Sequence, residues 1–180
     1  MEATVEAPAP APAAPPVVPK PDPVAAQRRL MHDLKVAQAD DSIIAGPEED
    51  NLFRWHATIT GPVDSPWDGG IFNLVMEFSD EYPNVPPKVK FLSQVFHPNV
   101  YVDGNICLDI LKTQWSPTYD VCGLLISIQS LLADPNPNSA ANPEAAELHK
   151  NNRPMYEARV RQLVEKSLAE ADAMVDDEDA

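Results

Sequence analysis

Cysteine is scarce in this chain: 180 residues hold two, Cys107 and Cys122. Two thiols cannot build a disulfide scaffold, and their spacing forms neither a CxxC redox pair nor half of a zinc site. Free thiols suit a reducing compartment, so the expected location is nucleus and cytoplasm. Positive charge is also short, with 13 Lys+Arg against 28 Asp+Glu and a net charge of −15. An acidic body repels phosphate backbones and anionic lipid, which argues against nucleic acid and membranes as direct partners and favours basic proteins. No apolar run approaches the ~18 residues of a membrane-spanning helix. The first twenty residues lack the basic start and apolar stretch of a secretory signal. What is present, 44% hydrophobic and 7% aromatic residues, is enough apolar mass for one packed domain.

Proline is unevenly spread. Eight of the 20 prolines fall in residues 1–23, interleaved with alanine. Such a segment can build neither core nor helix, and reads as a disordered or polyproline-II arm. Asp22-Pro23 then has the form of a helix start, a capping side chain followed by proline at the first helical position. Leu30, Met31 and Leu34 recur at helical spacing, predicting a first helix to about Gln38. Arg28, Arg29 and Lys35 give it a basic face, either solvated or a docking surface for an acidic partner.

Residues 41–95 read as strands. Leu52 to Thr60 is aromatic and β-branched and ends at Gly61-Pro62. In Ile71 to Phe78 the set Phe72, Leu74, Met76 and Phe78 alternates with Ile71, Asn73, Val75 and Glu77, a period of two with one strongly apolar face. Val89 and Phe91 mark a fourth strand after the Pro83, Pro86, Pro87 cluster. Turns at Gly46-Pro47 and Asp68-Gly69-Gly70 make these four strands an antiparallel meander. Gln94 to Asp120 has little periodicity, and a loop of that length inside a compact domain is usually functional. Three helices follow: one capped by Asp120 and ended at Asp134-Pro135, a short one capped by Asn142, and a last one opened by Pro154. The last carries Tyr156, Val160, Leu163, Val164 and Leu168 on one stripe. The prediction is an α+β domain over 24–168, with one four-stranded sheet, one N-terminal helix and three C-terminal helices, followed by an acidic tail over 169–180.

Cys122 sits beside the apolar stripe of a helix and reads as a small buried hydrophobe. Cys107 lies in the irregular loop, in Asp103-Gly104-Asn105-Ile106-Cys107-Leu108-Asp109, where reactive groups are displayed. Within four residues on either side stand two carboxylates and no Lys, Arg or His. Carboxylates disfavour a thiolate, whereas a redox sensor or cysteine protease needs it favoured, usually by an imidazolium. The local charges therefore suit a thiol that accepts an already activated acyl group, which is transthiolation.

His97-Pro98-Asn99, eight residues from Asn99 to Cys107, and Trp115-Ser116-Pro117 together resemble the active-site signature of ubiquitin-conjugating enzymes. The likeness runs over roughly Val24 to Glu165 and includes Tyr82-Pro83-x-x-Pro86-Pro87 and Asp134-Pro135-Asn136-Pro137-Asn138. The run Trp115 to Val121, with Asn84 after Tyr82-Pro83, is most similar to the branch acting in DNA-damage tolerance and histone ubiquitylation.

The resemblance implies that Cys107 takes ubiquitin from the activating enzyme as a thioester and passes it to a substrate lysine with a RING-type ligase. It implies that Asn99 donates a hydrogen bond to the oxyanion, beside the alternative, compatible with it, that Asn99 holds the active-site loop together by bonding to backbone; that His97 braces the loop; and that Tyr101, Asp109 and Ser139 line the lysine path. Some family members carry an acidic residue at the place of Ser139, so phosphorylation there would restore negative charge. Ligase docking is expected at Arg28, Arg29, Asn84, Pro86, Ser116 and Pro117. The acidic tail is either a solubilising end or an attractor of basic histone tails. No cofactor is implied, ATP being used upstream by the activating enzyme. The alternatives are a SUMO-conjugating enzyme, a non-catalytic ubiquitin-binding scaffold of the same fold, and a cysteine hydrolase with His97 as base. The scaffold lacks the nucleophile, and the hydrolase needs a third residue that no motif supplies.

Overall fold

The computed structural model describes residues 21–40 and 44–178, the last five as backbone. The chain order is α1 (Pro23–Gln38), β1 (Ile44–Glu48), β2 (Asn51–Thr60), β3 (Ile71–Glu77), β4 (Lys88–Phe91), a 3-10 turn (Asp109–Leu111), α2 (Val121–Ala133), α3 (Pro143–Asn151) and α4 (Arg153–Glu178). The four strands form one antiparallel sheet in the order β1-β2-β3-β4, as the turn spacing predicts. The arm at residues 1–20 lies outside the described residues.

Local chemistry starts the helices where the sequence places them. The Asp22 carboxylate accepts from the backbone N–H groups of Val24 and Ala25, with Pro23 opening α1. Asp120 accepts from Gly123 N–H at the head of α2, and Asn142 from Ala145 N–H at the head of α3. Each side chain satisfies a donor that the first helical turn leaves without an internal partner.

The β3 face of Phe72, Leu74 and Met76 is buried with Phe78 just beyond the strand, along with Trp55, Ala57 and Ile59 of β2 and the α2 stripe Leu124, Leu125, Ile128, Leu131 and Leu132. Full burial of one such side chain contributes about 1.5–3 kcal/mol, so this layer holds sheet and α2 together.

Two apolar positions depart from the periodic reading. Met31 is exposed, and the inward stripe of α1 is Ala26, Leu30, Asp33 and Ala37. A carboxylate thus sits where a hydrophobe is expected, a choice explained below by its partners. Leu168 is also exposed, and buried Ser167 faces the sheet instead. Its hydroxyl accepts from Ile71 N–H at 3.1 Å and donates to Val164 C=O at 2.8 Å. The first strand residue of β3 therefore has its N–H satisfied by the helix.

No structural break separates a domain at 168 from a tail at 169. The α4 backbone stays helical through Glu178, so Asp176, Asp177 and Glu178 continue that helix. Ala169, Ala171 and Ala173, all good helix formers, carry it past the sheet.

Candidate active site

The segment after β4 is ordered by a tight approach at Gly104. Its φ is +92°, and a Cβ there would lie 2.2 Å from the Phe91 carbonyl oxygen. Glycine alone fits both the left-handed backbone and the close contact. Phe91 N–H donates to Gly104 C=O at 2.9 Å, fastening the turn to the end of β4. Tyr101 N–H donates to Asn105 C=O at 2.9 Å, and Val100 pairs with Ile106. Cys107 N–H then donates to Asn99 C=O at 2.8 Å. Asn99 and Cys107 thus face each other across a small hairpin, which brings together two residues that the sequence separates by eight.

A second set of bonds fixes this hairpin to the loop between α2 and α3. Asn99 is fully buried, and its side-chain N–H₂ donates to Asn136 C=O at 2.7 Å and Ser139 C=O at 2.8 Å. Its side-chain oxygen accepts from Asn136 N–H at 2.7 Å. Pro98 C=O accepts from Ala141 N–H at 2.7 Å and from Asn142 N–H at 3.1 Å. All polar atoms of the Asn99 side chain are therefore engaged with the 136–139 loop. Both side-chain N–H groups are turned onto backbone carbonyls here, the one expected to face an oxyanion included, and the side chain acts as the loop-holding clasp.

His97 is buried as well. Its Nδ1 accepts from Asn99 N–H at 3.0 Å, which leaves Nε2 as the protonated nitrogen donating to Leu131 C=O at 2.8 Å. Burial holds its pKa down at about 4, against the partial opposition of the Leu131 bond, with His149 adding to the depression. A neutral ring with both nitrogens engaged has no lone pair to offer a thiol. That is a physical ground against the hydrolase alternative, and it gives His97 the bracing geometry.

The two cysteines differ as the sequence reading requires: Cys107 is half-buried and Cys122 buried. Burial pushes the Cys122 thiol pKa up, helped by Asp120. The charges around Cys107, however, are not those of the local sequence. Lys112, five residues on, places its Nζ 3.4 Å from the sulfur. The 3-10 turn Asp109–Leu111 brings it there, with Lys112 N–H and Gln114 N–H both donating to Asp109 C=O at 2.9 Å. The Asp109 side chain accepts from Ile110 N–H, and that of Asp103 accepts from Asn105 at its backbone and side chain. Those two Asn105 bonds hold the Asp103 carboxyl below its usual range. A four-residue window finds the two carboxylates and stops one residue short of the cation. The argument from an exclusively acidic neighbourhood is corrected accordingly.

The remaining lysine-path residues lie on the same pieces of chain. Tyr101 is exposed on the hairpin, Asp109 opens the 3-10 turn, and half-buried Ser139 stands in the loop clasped by Asn99.

Arg29 departs from the expected docking role. Its guanidinium pairs with Asp33 at 2.8 Å and donates to Pro117 C=O at 2.7 Å and Tyr119 C=O at 2.6 Å. Fully buried Asp33 also accepts the Tyr82 hydroxyl. Burial, then Asp33, raises the Tyr82 pKa far above its ordinary value. Arg29 therefore ties α1 to two loops from the inside, whereas Arg28 is exposed on the outer face with Val24 and Met31. Asn84 and Pro117 are exposed, and Pro86 and Ser116 half-buried. Trp115 joins their two loops by donating from its indole N–H to Pro83 C=O at 2.8 Å. Asp33 is the residue that sequence reasoning missed. The signal available was an Arg-Asp pair at i, i+4 with the Asp in phase with Leu30 and Ala37.

A sheet faced by helices, and a thiol on a hairpin clasped by an asparagine, define a cysteine-centred α+β protein. Residues 29–164 match the family model described as ubiquitin-conjugating enzyme. The chain is 57% identical over 143 residues to "Ubiquitin-conjugating enzyme E2 1" of Caenorhabditis elegans, covering 78% of this chain and 74% of the relative. It is also 57% identical over 145 residues to "Ubiquitin-conjugating enzyme E2 2" of Fusarium solani, covering 79% and 96%. The chain belongs to the ubiquitin-conjugating enzyme family.

Proposed function

We propose that Cys107 is the acyl carrier of this enzyme. The ubiquitin C-terminal carboxyl, activated by the ATP-consuming activating enzyme, passes from that enzyme's cysteine to the Cys107 sulfur. A substrate lysine amine then attacks the thioester carbonyl, an amide C–N bond forms, the C–S bond breaks, and the electron pair leaves on sulfur. The chain itself needs no cofactor for this exchange. The observation that carries the reading is the half-exposed thiol on a hairpin held from both sides, beside a second thiol that is buried.

Asn99 both clasps the 136–139 loop and, on releasing one carbonyl, supplies an N–H to the oxyanion; such a donor is worth about 3 kcal/mol. Tyr101, Asp109 and Ser139 border the path of the incoming lysine, and phosphorylation of Ser139 would add charge at its mouth. Arg28, with the joined loops carrying Asn84, Pro86, Ser116 and Pro117, forms the surface for a RING-type ligase. The likeness of Trp115 to Val121 and of Asn84 supports the DNA-damage-tolerance and histone branch, with basic histone tails drawn to the acidic end of α4. That attraction would weaken steeply with salt. Two free thiols suit work in the nucleus and cytoplasm.

The test mixes the full chain with activating enzyme, ATP and ubiquitin. A reductant-sensitive adduct is expected with the unaltered chain and with Cys122→Ala, and none with Cys107→Ala. An adduct that survives Cys107→Ala would overturn the assignment.

A further inference from the structure

The hairpin that carries Cys107 ends in a residue its own turn does not call for. Gly104 N–H donates to Tyr101 C=O at 2.9 Å, which makes Val102 and Asp103 the two central residues of the turn. Such positions favour proline or small polar side chains, yet the residue there is a valine that is 92% exposed. Leu92 and Tyr101 are exposed as well, and with Val102 they line one concavity of about 260 Å³. Val102 and Val95 also line a second one, of about 210 Å³, that ends against Leu163 and Arg159 of α4. Single exposed hydrophobes mean little, but several around one continuous groove mark a binding surface.

This groove is held in shape. Leu92 N–H donates to Asn73 C=O at 2.8 Å, and Lys166 donates to the Gln94 side chain at 3.0 Å. The charges at its rim are already engaged. Arg159 pairs with Glu144 and lies 4.0 Å over the Phe96 ring, Lys166 pairs with Glu170, and Asp103 is bonded to Asn105. The groove therefore offers a ligand apolar contact rather than an ion pair. Its position says which ligand: Tyr101 and Val102 continue the strand of Asn99, which faces Cys107 across the hairpin, whereas the ligase surface lies on other loops. At ~3.3 Å per residue, Val102 stands about 10 Å beyond the Asn99–Cys107 rung.

Resting on the proposed thioester at Cys107, we infer that this groove is a substrate subsite, which takes a branched aliphatic side chain two to four residues from the acceptor lysine on an extended segment. The lysine enters at the thioester while the segment runs along the outer side of the hairpin, and the aliphatic side chain settles between Val102, Leu92 and Val95. Its burial removes apolar surface from water on both partners. That gain is made on binding and is the same before and during attack, so it lowers KM and leaves kcat in place. Free lysine has no such side chain and gains nothing from the groove.

The experiment charges the full chain with activating enzyme, ubiquitin and ATP, removes ATP with apyrase, and follows loss of the reductant-sensitive adduct. The acceptors are synthetic Gly/Ser peptides with a single lysine and one leucine, placed in turn at each of the five positions on either side. Each rate is divided by that of the same enzyme with free lysine. Leucine two to four residues from the lysine, on one side, should raise kcat/KM roughly tenfold over the peptide without leucine, through KM. The preference should persist at high salt, since no ion pair carries it. Val102→Asp, at an exposed position that leaves the fold intact, should bring it to within about twofold of none. Equal rates for all leucine positions, peptides that discharge no adduct included, would overturn the inference alone. So would a maximum outside that window, or a preference that Val102→Asp retains. Failure to form the sensitive adduct at all would overturn the reading of Cys107, and this inference with it.

Discussion

Removing the Asn99 amide tests whether the active-site hairpin is held by the clasp. In Asn99→Ala three bonds of 2.7, 2.8 and 2.7 Å disappear together. Asn136 N–H and Ser139 C=O lose their partner, whereas Asn136 C=O keeps the 3.2 Å bond from Ser139 N–H. A buried group left unsatisfied costs about 1–3 kcal/mol. Asn136 and Ser139 are only half-buried, so water can reach the vacated loop and the low end applies, about 2 kcal/mol in total. With a urea m-value of about 2 kcal/mol/M, the unfolding midpoint should fall by about 1 M. Asn99→Asp retains the acceptor for Asn136 N–H but turns lone pairs toward two carbonyls, so at neutral pH it should be at least as destabilising. The assay is urea unfolding of the full chain followed by circular dichroism. A midpoint for Asn99→Ala within about 0.25 M of the unaltered protein would refute the clasp. Discharge of the thioester to free lysine, normalised to folded protein, then separates the second role. A residual loss of about 100-fold or more is the signature of a missing oxyanion donor.

Two further outcomes are expected. His97 is neutral in the native state with a pKa of about 4, whereas unfolding returns it to about 6.5. Between those values the unfolded chain binds a proton that the native one refuses, so this stability is complete above about 6.5 and is lost as pH falls toward 4. The full effect is about 3 kcal/mol, and by pH 5.5 the unaltered protein should lose about 1 kcal/mol more than His97→Gln does from pH 7.5. Equal pH slopes of the two urea midpoints would count against it. Arg29→Ala leaves Asp33 buried without its cation and frees the carbonyls of Pro117 and Tyr119, which should cost about 3 kcal/mol or more by thermal or urea unfolding. Arg28→Ala, on the exposed face of α1, should change stability by less than about 0.5 kcal/mol. Equal losses would show that the inward network does not hold α1.

The sequence by itself determined the features that depend on neighbours a few residues away. The period-two apolar set of β3, the caps Asp22, Asp120 and Asn142, and the helical stripe of α2 all express local geometry, so the order of the elements and the helix starts were legible within a residue or two, whereas the far end of α4 at Glu178 was not. The choice of Cys107 over Cys122 was legible for the same reason, since an apolar helix buries one thiol and an irregular loop presents the other. Only the tertiary structure decided which polar groups face each other. It turned Arg29 inward onto carbonyls some ninety residues away, made buried Asp33 tolerable by giving it two partners, and directed the Asn99 amide onto the 136–139 loop. It also curled the 3-10 turn that sets Lys112 against the sulfur. Hydrogen bonds and ion pairs are directional and short-ranged. Their partners are fixed by where packing leaves each side chain, and no local periodicity carries that information.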